Sequence, residues 1–280
     1  VVETMTGSEL KRLQLANVEL AYDDVGTGSP PILLLHGFSC GRTDFVHQFA
    51  YFSERHRVVA FDQRGHGESS LARDGSYGFG IDVADARTVC EELGLVRPIV
   101  VGHSLGGVSA LQLAAEPGFA SALVLLDSTI ELPDEVEEQL IAFVDGLERS
   151  SDEAFREQVR QYARAQMIDP SDDAGMAGQL IERSASVPKD VYVAGVKSIV
   201  GVDVRAIALA VTVPTLFIGS SLPWIDLGRV HTLRPDWFLG RTVGAGHFHH
   251  LLVPDQVNAM IGRFLASVDA GFPKAAASPW

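Results

Sequence analysis

The sequence is poor in the features that would direct a protein to nucleic acid, metal or membrane. Twenty-two Lys and Arg stand against 36 Asp and Glu, a formal charge of −14. No basic excess exists to neutralise phosphates or to hold an anionic membrane surface. Two cysteines, Cys40 and Cys90, are too few for a disulfide framework, and no Cys-x-x-Cys, His-Glu-x-x-His or zinc-like Cys/His spacing occurs. No apolar run approaches the ~20 residues of a membrane span. The opening stretch VVETMTGSEL lacks the basic-then-apolar order of a secretory leader, and there are no internal repeats. These absences predict reduced thiols in a cytoplasmic protein with no metal and no nucleic-acid or membrane partner; the expected state is a monomer or homodimer.

What is present is an ordinary core complement, 46% hydrophobic over 280 residues, arranged in a recurring pattern. A hairpin around Asn17 (LQLANVELAY, Leu13–Tyr22) is followed by short apolar runs of the buried-strand type: PILLLHG, RVVAFD, PIVVGHS, ALVLLD, PTLFIGS and FLGRTV. Helical stretches separate the first four, near Thr43–Glu54, Ile81–Leu93 and Leu105–Ala115. The alternation predicts an α/β fold, a mostly parallel eight-stranded sheet with helices on both faces. Between Asp127 and Pro214 the pattern breaks. Asp134–Glu148 gathers Val136, Leu140, Phe143, Val144 and Leu147 on one helical face. Ser150 and Glu153 read as a capping box for a helix bearing Phe155, Val159 and Tyr162, and further helices are expected over Ala174–Ser186 and Lys189–Val200. The expected division is a core of residues 1–130 and 210–270, a helical cap of 131–209 after the sixth strand, and a flexible tail, 271–280. Such a cap would roof the carboxyl ends of the strands, where open α/β sheets bind ligands.

The chemistry centres on Gly102-His103-Ser104-Leu105-Gly106, a G-x-S-x-G with a strand before it and a helix after it. A serine on that corner takes a strained backbone that exposes its hydroxyl beside the helix N-terminus. There the Leu105 amide faces the place where an oxyanion would form. A second oxyanion donor is expected from the loop after an earlier strand, and the backbone amide of Phe38 in LLLHGFSCG is the candidate. Serine needs a base, and His247, after a Gly-Ala-Gly turn and before the final helix, is the candidate among nine histidines. His36, His66 and His103 read as structural, His249 and His250 as rim or packing residues, and Cys40 as a small buried thiol.

In chain order, LLLHGF, FDQRGHGES, VGHSLGG, PTLFIG and GAGHFHHLLVPDQV resemble the α/β-hydrolase superfamily over almost the whole chain. The resemblance implies an α/β-hydrolase fold, a nucleophile–acid–histidine triad in that order, no cofactor and a roofed pocket. It also implies that Asp62 braces its own loop. The acid departs from the common pattern. Most relatives carry it a few residues beyond the PTLFIG-type strand, where this chain has Pro223. Asp226 comes later, in what reads as a helix start. Asp127, closing ALVLLD beside the nucleophile's strand, resembles a minority arrangement found in some lactone hydrolases and cofactor-free dioxygenases. Asp127 is the expected acid and Asp226 the alternative. The expected activity is that of a serine hydrolase, and the apolar and aromatic faces of the cap helices point to a small-to-medium apolar ester or lactone as substrate. C–C bond hydrolysis, lyase or cofactor-free oxygenase chemistry with His247 as base, and a non-catalytic ligand-binding protein stand as alternatives.

Overall fold

The structure, a computed structural model, describes residues 9–271. Past Gly271 the expected tail lies outside the described residues, as does most of the opening stretch. β1 (Lys11–Gln14) and β2 (Glu19–Val25) form the antiparallel hairpin, and β2 continues antiparallel onto β4 (Val58–Phe61). β3 (Ile32–Leu35), β5 (Ile99–His103), β6 (Ala122–Leu126), β7 (Thr215–Gly219) and β8 (Phe238–Arg241) complete an eight-stranded sheet. Its order is β1-β2-β4-β3-β5-β6-β7-β8, parallel from β4 onward.

The central strands are buried along their whole length because helices cover both faces. Alternate residues then serve two separate cores. Leu33, Leu35, Val100, Leu123, Leu125 and Phe217 pack on one face, beneath α2 (Phe79–Leu93), α3 (Ser104–Ala115) and α8 (Val204–Ala210). Leu34, Val101, Val124, Leu126 and Ile218 pack on the other, beneath α1 (Val46–Phe52), its preceding 3-10 turn (Arg42–Phe45) and α11 (Pro254–Asp269).

The connection from β6 to β7 holds α8, already placed against the sheet, and before it four further helices: α4 (Asp134–Arg149), α5 (Asp152–Gln166), α6 (Ala174–Ser186) and α7 (Lys189–Lys197). They share an apolar cluster of Val144, Leu147, Phe155, Val159, Ala185, Val191 and Tyr192. Val136, expected on the apolar face of α4, is 41% exposed, and the fully buried residues of that helix, Val144 and Leu147, lie in its second half. The capping box on Ser150 is not formed. Ser151 caps α5 by accepting from the Ala154 amide, while the Ser150 hydroxyl donates back to the Leu147 carbonyl and closes α4. Two adjacent serines thus divide the unsatisfied backbone groups of two helix ends. α7 stops at Lys197, three residues short of expectation. There the Ser198 hydroxyl donates to Gly195 and accepts from the Phe79 amide, joining α7 to α2. α9 (Leu227–Leu233) and α10 (His249–Leu252) complete the chain. Among the described residues no helix is long and apolar enough to cross a membrane, and no group of three or more His, Cys, Asp or Glu is placed to hold a metal ion.

Candidate active site

Parallel register brings three strand ends to one edge. His103 on β5 pairs with Leu126 on β6, and Leu126 with Ile218 on β7. The next residues, Ser104 and Asp127, therefore leave the sheet side by side. Both bend sharply, with φ of +53° and +42°, a left-handed conformation that side chains rarely adopt and that costs on the order of 1 kcal/mol or more. Neighbours hold the bend. The Ser128 hydroxyl donates to the Ser104 carbonyl at 2.8 Å. Gly106 lies against the carbonyls of Leu35 and His36, where any Cβ would collide with backbone. That contact seats the first turn of α3 on β3 and leaves Leu105, the second helical residue, with an amide free of intrahelical partners. The loop after β3 closes on the same point, since a Cβ on Gly37 would stand 2.9 Å from the Ser104 Cβ. Phe38 follows directly, its ring held edge-on by Tyr192 of α7 and by His66.

The Asp127 carboxylate is 1% exposed and both oxygens are engaged. Oδ1 accepts from the Ser220 amide at 3.1 Å, and Oδ2 from Nδ1 of His247 at 2.8 Å. In a neutral imidazole, donation from Nδ1 to a carboxylate fixes the tautomer in which Nε2 is free to accept a proton. The His247 carbonyl accepts from Nε2 of His103 at 2.9 Å, and the His103 ring lies 4.5 Å from the His247 ring. Asp226 is not part of this group. Its carboxylate caps α9, accepting from the Arg229 amide at 3.2 Å.

Five other histidines, His36, His66, His103, His249 and His250, are also buried. His36 accepts the Gln63 amide on Nε2 and donates from Nδ1 to the Gly37 carbonyl, and burial pulls its pKa down to about 4. His66 accepts from the Ser39 amide and donates to the Arg64 carbonyl, pulled down to about 3 by burial and by the nearby His36. Both are neutral braces of the loops after β3 and β4. His249 and His250 are fully buried in α10, which removes them from any rim. Burial brings His249 to about 4, and burial with neighbouring imidazoles holds His250 and His103 well below the usual range. Asp62 braces its loop, accepting from the Arg42 and Glu68 amides and the Arg42 guanidinium. Cys40 is a buried thiol pushed up by burial and by Asp44.

Some site neighbours left no trace in the sequence. The Ser220 amide on Asp127 and the Met167 carbonyl on the His247 amide are backbone groups, which no residue type announces. Trp224, with its ring 5.3 Å from that of His247, lies in the WIDLG stretch, where the only signal was an aromatic close behind a strand.

A mostly parallel sheet with a serine on the β5–α3 corner defines the class, and residues 30–171 match the family model for the alpha/beta hydrolase fold; the chain belongs to this family. Among curated relatives, a serine hydrolase-like protein of Danio rerio is 40% identical over 108 residues, 38% of this chain and 33% of the relative. A non-heme chloroperoxidase of Burkholderia pyrrocinia is 36% identical over 104 residues, 36% of this chain and 37% of the relative. Epoxide hydrolase 4 of Mus musculus is 39% identical over 88 residues, 31% of this chain and 24% of the relative. The matches thus span well under half the length of these relatives. A thermophilic esterase from Thermogutta terrifontis superposes with a TM-score of 0.79 at 22% identity, covering 92% of this chain and 99% of that one. The enol-lactonase from Burkholderia xenovorans has the same score at 18% identity, covering 91% and 100%.

Proposed function

We propose that this chain is a serine hydrolase that cleaves a small-to-medium apolar carboxylic ester or lactone through an acyl-enzyme. Ser104 is the nucleophile, His247 the base and Asp127 the acid that orients it. The observation that carries the reading is the 2.8 Å bond from His247 to Asp127, at the sheet edge where Ser104 also emerges. In the reaction, Nε2 of His247 takes the Ser104 hydroxyl proton as Oγ bonds to the substrate carbonyl carbon. The backbone amides of Phe38 and Leu105 receive the oxyanion. Collapse breaks the bond to the leaving oxygen, which takes the proton from the imidazolium, and water repeats the sequence to release the acid.

Helices α4–α7, within the expected cap of 131–209, act as the cap, while α8 packs on the sheet, and the rings of α4 and α5 support the apolar substrate. Phe143 of α4 stacks on Tyr162 of α5 at 4.7 Å, Tyr162 lies 6.5 Å from Trp224, and Trp224 lies beside His247. A serine at the corner argues against epoxide-hydrolase chemistry, which attacks with a carboxylate. The test is a panel of aryl esters, lactones and β-diketones, with a fluorophosphonate to trap Ser104. Esters or lactones should turn over, and Ser104→Ala should abolish both labelling and turnover, by roughly 10⁴-fold or more. Hydrolysis of diketones alone would move the reading to C–C bond cleavage. Full turnover in Ser104→Ala would leave His247 acting as a base without a nucleophile.

A further inference from the structure

Three successive backbone amides before α10 are held from two directions. Ala245 belongs to the sheet side: its amide donates to the Ser221 hydroxyl at 3.1 Å, and its carbonyl accepts from the Ser221 amide. The next two amides turn to the connection between α5 and α6. Gly246 donates to Oδ1 of Asp172 at 2.9 Å, and His247 to the Met167 carbonyl at 3.0 Å. Gly246 is required by this approach, because a Cβ there would stand 2.7 Å from the Asp169 nitrogen and 2.9 Å from the Met167 oxygen.

The connection is a preformed clamp. Asp172 Oδ2 accepts from the Asp169 amide at 2.8 Å, and the Asp172 amide donates to the Asp169 carbonyl at 2.9 Å. Ser171 closes on Asp169 Oδ1 through both its amide and its hydroxyl. Met167 and Ile168 pack in the cluster that buries Phe248, the residue after the imidazole. α6 is tied to the core in turn by the Arg183–Asp44 ion pair, 2.8 Å between Nη2 and Oδ2.

We propose that residues 167–173 position His247 and that Asp172 is the positioning residue, so that the helical insertion sets the place of the base as well as roofing the pocket. The inference rests on the proposed role of His247. A shift of about 1 Å in a reacting group can cost on the order of 10²-fold in rate, so a loosened clamp should act on kcat. It should do so for every ester alike, the smallest included.

The test compares wild type, Asp172→Ala and Asp172→Asn on 4-nitrophenyl esters of increasing acyl length, with the low-field proton resonance of the His247 Nδ1–H recorded in parallel. Asp172→Ala should lower kcat about tenfold on all chain lengths, leave KM unchanged, and shift or broaden the resonance. Asp172→Asn keeps one acceptor oxygen for two amides and should recover part of both signals; it also carries the comparison should the alanine variant not fold. An unchanged kcat and resonance, or a KM rise confined to long acyl chains, would overturn the proposal. Wild-type protein inert to every ester would sink the hydrolase reading instead. The resonance would then still decide for or against the clamp.

Discussion

Asp127 and Asp226 carry the same carboxylate into opposite circumstances. Asp127 sits in a left-handed turn at a strand end, buried, with one oxygen on the His247 imidazole. A buried carboxylate is held there only by hydrogen bonds and a partner. In Asp127→Asn, the amide would present a donor or force the other tautomer on His247, which moves the proton to the nitrogen that should act as base. The expected outcome is a fall in kcat of roughly 10⁴-fold, the scale of that change in a serine triad, with the fold retained. Asp226→Asn should leave kcat within a factor of two or so, since its oxygen bonds only the Arg229 amide at the start of α9. Steady-state kinetics on the two variants check the pair, and the reverse ranking would make Asp226 the acid.

At the scale of elements, Asp226 has a different value. Asn is as good a helix cap as Asp, but Ala leaves the first amides of α9 without an acceptor. Asp226→Ala should therefore cost about 1 kcal/mol of stability, read as a lower urea midpoint, while turnover persists. A loss of turnover with no change in midpoint would contradict the assignment of Asp226 to capping. The same end-of-helix physics explains why the α4–α5 boundary was legible only to within a residue. Ser150 and Ser151 are equally good caps in sequence, and the division between them depends on where α4 leaves an orphan carbonyl at Leu147. α8, seven residues rich in Ala with Asp203 as its cap, is too short to show a helical period. Longer helices were plainer: Ala174–Ser186 is found with its expected bounds.

Across the whole molecule, buried neutral histidines make stability depend on pH. His36, His66 and His249 are drawn from 6.5 to about 4, 3 and 4, and His103 and His250 well below, chiefly by burial. In the unfolded chain each takes up a proton near pH 6.5, whereas the folded protein refuses it. Their contribution is therefore complete above about pH 6.5 and is lost as pH falls from there toward 4. Each proton taken up by the unfolded chain and refused by the folded protein lowers stability as pH falls through that window. Five together should lower the thermal midpoint steeply between pH 6.5 and 5, as measured by calorimetry in matched buffers. A midpoint flat across that interval would mean that these imidazoles are charged or solvated in the folded protein.

Most of the architecture was legible in the sequence, because apolar runs and helical periods follow directly from burial on two faces of a sheet. Ser104, Leu105 and His247 could be singled out for a similar reason. A serine flanked by glycines at a strand end, and a histidine after a glycine turn, are local patterns with local causes. The choice between Asp127 and Asp226 was not local. It follows from register, which aligns the ends of β5, β6 and β7 and delivers Asp127 beside Ser104 across a separation in sequence. The burial of His249 and His250, the Ser220 amide on Asp127 and the clamp of Asp172 and Met167 on the His247 loop belong to the tertiary structure alone. They are made by backbone groups and by close approach between distant segments. Residue identity carries no record of either until the chain has packed.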